Sequence, residues 1–218
     1  MPQQTARLPQ PLAPLPARLA VLLSGRGSNF SALAEACRRE EIPARVVLVL
    51  SDREEAPGLA RAAEMGIPAV ALPRKGFAGR EAHEEAVLAA LDGARPDLVC
   101  LAGYMRLLSA SFVSRYPLRI LNVHPALLPS FPGTEAQRQA VDYGVRVSGA
   151  TVHFVDAGVD SGPVVAQEAV PVAAGDDAGT LAARILPVEH RLYVEAVRNV
   201  LAGGWCLDGR RIVFPEAL

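Results

Sequence analysis

The chain has 218 residues, enough for a large α/β domain with a buried core. Half of it is apolar but only 5% is aromatic, so Val, Leu, Ala and Ile must build the interior. A formal charge of −1 supplies no field for gathering nucleic acid or an anionic membrane, so any bound anion must be held by a few local donors.

The first residues carry Pro2, Pro9, Pro11, Pro14 and Pro16 but no basic start and no continuous apolar stretch, so they do not read as a signal peptide. Residues 1–16 read as a disordered leader, with one domain expected over 17–218. Arg18–Leu23 is an aliphatic strand that enters a tight turn at Ser24-Gly25. Ser28–Arg39 then sets Phe30, Leu33, Ala34 and Cys37 on one helical face. The rhythm repeats with strand Val46–Leu50, helix Pro57–Met65 stopped by Gly66, strand Ala69–Leu72 and helix Arg80–Leu91. Strand Asp97–Ala102, a short helix at Ser109–Ser114 and strand Arg119–His124, stopped by Pro125, complete it.

This alternation predicts an α/β fold with a mostly parallel, doubly wound sheet that binds ligands beyond the carboxyl ends of its strands. After Gly144 the rhythm changes. Strands Val147–Val155 and Pro163–Val170 lie too close in sequence for a helical crossover, which predicts an antiparallel C-terminal extension. A helix over Ala178–Leu201 contains Pro187, and Trp205–Phe214 suits a hairpin turning at Asp208-Gly209. No apolar run approaches the roughly 20 residues of a membrane span.

Three segments follow strands and carry polar chemistry. Gly25-Arg26-Gly27-Ser28-Asn29 fits an anion cradle, because glycines admit a ligand and a helix start offers unpaired N–H groups. It fits equally a tight turn with Ser28 capping the helix. Glycine is missing where a dinucleotide fingerprint needs it, at Phe30, and no P-loop Lys-Ser/Thr follows. Asn122 and His124 alternate on one strand face, an amide donor and a proton carrier suited to attack on a carbonyl. A polar strand end would look the same. The loop Asp156–Gly162 can bring a carboxylate to that histidine and favour its charged form, or can be turn chemistry alone. Cys37, Cys100 and Cys206 form no CxxC pair, and His83, His153 and His190 have no ligand spacing, so no metal is assigned.

The strings SGRGSNF, SDREEAPGLARAAEMGIP, LAGYMRLLS, LNVHPALLPSFPG, SGATVHFVDAGVDSGPVVAQ and VEH together resemble the glycinamide ribonucleotide formyltransferases, from Ser24 to His190. The resemblance implies a formyltransferase fold, with 10-formyltetrahydrofolate as co-substrate and 5-phosphoribosylglycinamide as acceptor. It implies Asn122, His124 and Asp160 as the catalytic trio. Gly27, Ser28 and Asn29 then hold the substrate phosphate, and Glu189 meets its ribose. Arg80, Met105, Arg106, Leu107, Leu108, Asn122 and Asp156 become folate positions, and Leu128-Pro129 a cis peptide. Expected too are a cytoplasmic monomer or homodimer and no nucleic-acid or membrane partner. Formyl-folate relatives acting on tRNA, or hydrolysing the folate, are expected to carry a further domain. A non-catalytic binder of sugar phosphate or folate would leave the trio without a role.

Overall fold

The computed structural model describes residues 6–7 and 12–214. It falls into two compact units, Ala13–Asn122 and Val123–Leu218 with Met1–Leu12. In the first unit, β2 (Ala17–Leu23), β3 (Ala44–Ser51), β4 (Ala69–Ala71), β5 (Leu98–Leu101) and the start of β6 (Ile120–His124) alternate with helices. All of their pairings are parallel, in the order β6-β5-β2-β3-β4. Helices α1 (Ser28–Arg38), α2 (Pro57–Glu64), α3 (Arg80–Ala94) and α4 (Ala110–Arg115) occupy the crossovers. β2 and β5 are aliphatic and almost wholly buried, as strands covered on both faces must be.

The second unit has the expected change of rhythm. β7 (Val147–Phe154) and β8 (Val164–Pro171) pair antiparallel. β9 (Cys206–Asp208) and β10 (Arg211–Val213) form the expected hairpin, with Gly209 at φ 59° in its turn. Two elements here go beyond the sequence reading: α5 (Ala136–Tyr143), and the parallel pairing of β10 with β8. The last helix, α6 (Ala178–Ala202), runs through Pro187 without restarting. Pro187 cannot donate to the Ala183 carbonyl, but both residues are exposed, so water can take the place of the missing bond.

The leader also departs from expectation. Ala6–Arg7 forms strand β1 and pairs with β9, while Leu12 and Ala13 are buried. The rest of the leader, 1–5 and 8–11, lies outside the described residues.

Candidate active site

β6 ends at His124 because Pro125 has no N–H to continue the ladder. The chain then turns through a cis Leu128-Pro129 peptide, in line with the resemblance. Thr151 Oγ1 accepts from Leu128 N at 3.1 Å, and Gln167 Nε2 donates to Leu128 O at 2.8 Å, so β7 and β8 hold this turn. The turn returns the Phe131 carbonyl to 2.8 Å from His124 Nε2.

The loop after β7 supplies the other neighbour. Asp160, at φ 48° in the left-handed region, sets Oδ2 3.3 Å from His124 Nδ1. The same oxygen accepts from Gly133 N at 2.7 Å. Its second oxygen lies 3.6 Å from Nε2 of His153, a residue buried near the end of β7. Both nitrogens of His124 therefore face acceptors, yet a neutral imidazole has a single N–H. One of the two contacts is completed only when the ring takes a second proton.

Burial works against that proton. It is the largest influence on His124 and lowers the ring's pKa from its usual range; Asp160 and the Phe131 carbonyl raise it, and His153 adds to the lowering. The net direction is down. The carboxylate favours the charged form, as expected, but burial outweighs it. For Asp160 burial is again the largest influence and raises the pKa, yet the His153 and Gly133 hydrogen bonds and the nearby rings outweigh it. The carboxyl is held below its ordinary value. At neutral pH the arrangement is a neutral imidazole beside a carboxylate. Asn122 stands two residues before His124 on β6, on the same face by strand alternation.

The glycine turn lies in the first unit. Gly27 is the N-cap of α1 at φ 73°, and no side chain caps the helix, so the Ser28-cap reading fails. With glycine at the cap position, the start of α1 offers its N–H dipoles to an anion without a capping side chain in the way. Gly27 is fixed by packing as well as by conformation, since a Cβ there would meet the Gly58 Cα at 2.8 Å. Gly58 N in turn donates to Gly25 O at 3.1 Å.

A cavity of about 230 Å³ opens in the same unit, with Val87, Tyr104, Leu108 and Phe112 among its apolar lining. The chain from Met105 to Leu108 forms one wall, and Arg74, Arg80 and Arg106 also line it. Arg80 Nε donates to Glu84 Oε1 at 2.9 Å and Arg80 Nη2 to Leu107 O at 3.0 Å. Burial tends to raise the Glu84 pKa, but the Ser109 and Arg80 bonds bring it below the ordinary value. Ser109 meanwhile caps α4 by accepting from Phe112 N. Arg80 and Met105–Leu108, the five folate positions the resemblance implies over residues 80–108, thus line one cavity.

Asp156 and Glu189 belong to the second unit. Asp156 Oδ1 accepts from Gly158 N at 3.0 Å and Ser161 Oγ at 2.7 Å, so its carboxylate shapes its own loop. Glu189 is buried on α6. Burial raises the Cys37 thiol to about 11, which makes it a poor nucleophile at neutral pH. Among the described residues no group of three or more His, Cys, Asp or Glu is placed to hold a metal, and no helix is long and apolar enough to cross a membrane. Sequence reasoning missed His153, which touches Asp160 from the opposite side to His124. Its signal was a lone histidine near the end of a strand, seven residues before the acidic loop residue.

Residues 17–197 match the family described as formyl transferase. The chain is 47% identical over 208 residues to the phosphoribosylglycinamide formyltransferase of Mycobacterium tuberculosis, covering 95% of this chain and 94% of that one. It is 44% identical over 201 residues to a trifunctional purine biosynthetic protein, adenosine-3, of Drosophila melanogaster; that match covers 91% of this chain but spans only 14% of the longer protein. The crystal structure of glycinamide ribonucleotide transformylase 1 from Symbiobacterium toebii superposes with a TM-score of 0.90 at 48% identity, over 92% of this chain and 94% of that one.

Proposed function

The chain belongs to the formyl transferase family, and we propose that it moves the formyl group of 10-formyltetrahydrofolate to the amine of 5-phosphoribosylglycinamide, a step of purine (IMP) synthesis. The observation that carries this reading is His124, buried, with acceptors already placed at both ring nitrogens.

The attacking amine adds to the formyl carbon and leaves an oxyanion and a surplus proton. Asn122 donates to the oxyanion, as an amide at that position can. His124 accepts the amine proton, and Asp160 with the Phe131 carbonyl stabilises the imidazolium while it lasts. The ring then returns the proton to the folate nitrogen as the carbon–nitrogen bond breaks, giving tetrahydrofolate and the N-formyl product. The cavity along Met105–Leu108 takes the folate, its apolar lining suited to a flat ring and its backbone to that ring's polar edge. The start of α1 takes the phosphate, and Glu189 the ribose hydroxyls. Bringing both substrates to one protein removes much of the entropic barrier to their reaction.

The test mixes purified protein with 10-formyltetrahydrofolate and glycinamide ribonucleotide and follows tetrahydrofolate by absorbance. Release that depends on the ribonucleotide supports the transferase. Equal release without the amine would make the protein a hydrolase, and binding without release a non-catalytic carrier.

A further inference from the structure

Ser24 and Asp52 are the first residues beyond the ends of β2 and β3, and the register pairing Leu23 with Ser51 sets them side by side. The Asp52 side chain is fully buried, which is costly for a carboxylate unless its oxygens are partnered. Both are. Oδ1 accepts from Ser24 Oγ at 2.5 Å, and Oδ2 from Arg106 Nε at 2.7 Å. Ser24 extends the chain of bonds, since its Oγ accepts from Met105 N at 2.8 Å and its own N–H donates to Gly103 O at 3.0 Å.

Two residues of the cavity wall, Met105 and Arg106, with Gly103 just before the wall, are therefore bonded to this one buried pair. The middle of the wall has few other ties, for although Tyr104 and Leu108 are buried, the residues between them are not. Residues 102–109 form neither helix nor strand, and Met105 and Leu107 are 55% and 61% exposed, so packing contributes little to their placement. Apart from this pair, the bond from Arg80 to Leu107 O and the bonds from Ser109 to Glu84 hold the wall's far end. The neighbouring glycine turn is different. It is held by backbone bonds from Gly58 N to Gly25 O and from Ser31 N to Gly27 O, and by the close approach of Gly27 to Gly58. Loss of the Asp52 charge would release the wall and leave the turn in place. The charge also reaches Tyr104, whose hydroxyl pKa is raised first by burial and next by Asp52.

We infer that Asp52 is a positioning residue for the formyl donor: through Ser24 and Arg106 it fixes the Met105–Leu108 wall, and so sets affinity for the folate while leaving the ribonucleotide site alone. This rests on the reading of that cavity as the folate site.

The test is steady-state kinetics of Asp52→Asn with each substrate varied in turn, alongside calorimetric titration with tetrahydrofolate. An amide keeps the shape and can still accept from Ser24, but it no longer pairs with the guanidinium. The KM for 10-formyltetrahydrofolate and the Kd for tetrahydrofolate should each rise about tenfold, the scale of one charged hydrogen bond. The ribonucleotide KM and kcat should stay within about twofold of wild type. Because Asp52 acts through Arg106, adding Arg106→Gln to Asp52→Asn should raise the donor KM no further than the more affected single variant. An equal rise in both KM values, or full additivity in the double variant, would overturn the assignment. If Asp52→Asn does not fold, Ser24→Ala cuts the Met105 tie and carries the same expectation on the donor KM alone. A wild-type protein that neither binds tetrahydrofolate nor uses the donor would sink the folate reading itself. A normal donor KM in the folded variant of an active enzyme would sink only this inference.

Discussion

Replacing Asp160 by Asn separates charge from shape at the candidate active site. The carboxylate sits 3.3 Å from His124 Nδ1 with only 15% of its side chain exposed. Two full charges at that distance would attract by about 5 kcal/mol at an effective dielectric of about 20, which is a ceiling. Oδ2 is shared with the Gly133 amide and Oδ1 faces His153, so the share felt by His124 is closer to that of one charged hydrogen bond, about 1.5–3 kcal/mol. Each 1.36 kcal/mol is about one pKa unit, so the variant's imidazole should titrate roughly 1 to 2 units lower than in wild type. The sign is fixed: Asp160 favours the charged ring, and removing it lowers further a pKa that burial has already lowered. If the imidazolium forms during turnover, the same energy is lost from the barrier, and kcat should fall about 10- to 100-fold. The chain has four histidines, so proton NMR can follow each ring, with His124→Gln identifying the relevant signal. A His124 midpoint that stays put or rises, or an unchanged kcat, would refute the reasoning.

Asn122→Ala should lower kcat on the order of 10²–10³, as for loss of one oxyanion donor, without changing the melting temperature; turnover near wild type would remove Asn122 from the mechanism. Gly27→Ala forces a β-carbon into the left-handed region and against the Gly58 backbone, so it should cost about 1–3 kcal/mol and some 2–10 °C in Tm. Calorimetric titration should also show weaker binding of ribonucleotide to that variant, and unchanged affinity and Tm together would disprove the packing argument. Stability should fall as pH drops below 6.5, because His124 and His190 have depressed pKa values in the fold and the unfolded chain takes up their protons first. Asp160, also depressed, adds a further loss at lower pH as its carboxylate is protonated. Urea unfolding at pH 7.5, 6 and 5 measures the upper part, and His124→Gln should flatten it.

The legible elements were those whose signal is local. β2 and β5 are short aliphatic runs ending in glycine or small residues, and α1 shows its buried face at helical spacing. α5 was not legible because its buried contacts come from Ala136 and Ala140, too small to mark an apolar face, although Gly144 closes it in the left-handed conformation. The parallel pairing of β10 with β8 depends on contacts more than 40 residues apart, which no local pattern encodes. At the site, Asn122 and His124 were readable from strand alternation, and their link to Asp160 only through resemblance. His153 and Asp52 were passed over because a buried histidine and an acidic residue after a strand each have common structural explanations. Only tertiary placement shows that one touches Asp160 and the other Arg106.

The two opposing influences on His124 serve different moments of the reaction. Burial keeps the resting ring neutral, and so able to accept a proton from an attacking amine. Burial alone would make the resulting imidazolium expensive and the ring a poor catalyst. The Phe131 carbonyl and the Asp160 carboxylate offset that cost, and one of the two bonds is made only in the charged state, because a neutral ring cannot donate to both. Stabilisation that appears in the charged state and not at rest is the kind that accelerates a reaction without tightening its ground state. It also requires no rearrangement, since both acceptors are fixed beforehand, one by the turn after β6 and the other by the Gly133 amide and His153. A site with the carboxylate but an exposed ring would rest protonated, and one with the burial but no acceptors would never protonate. The combination is what the fold contributes at this strand end.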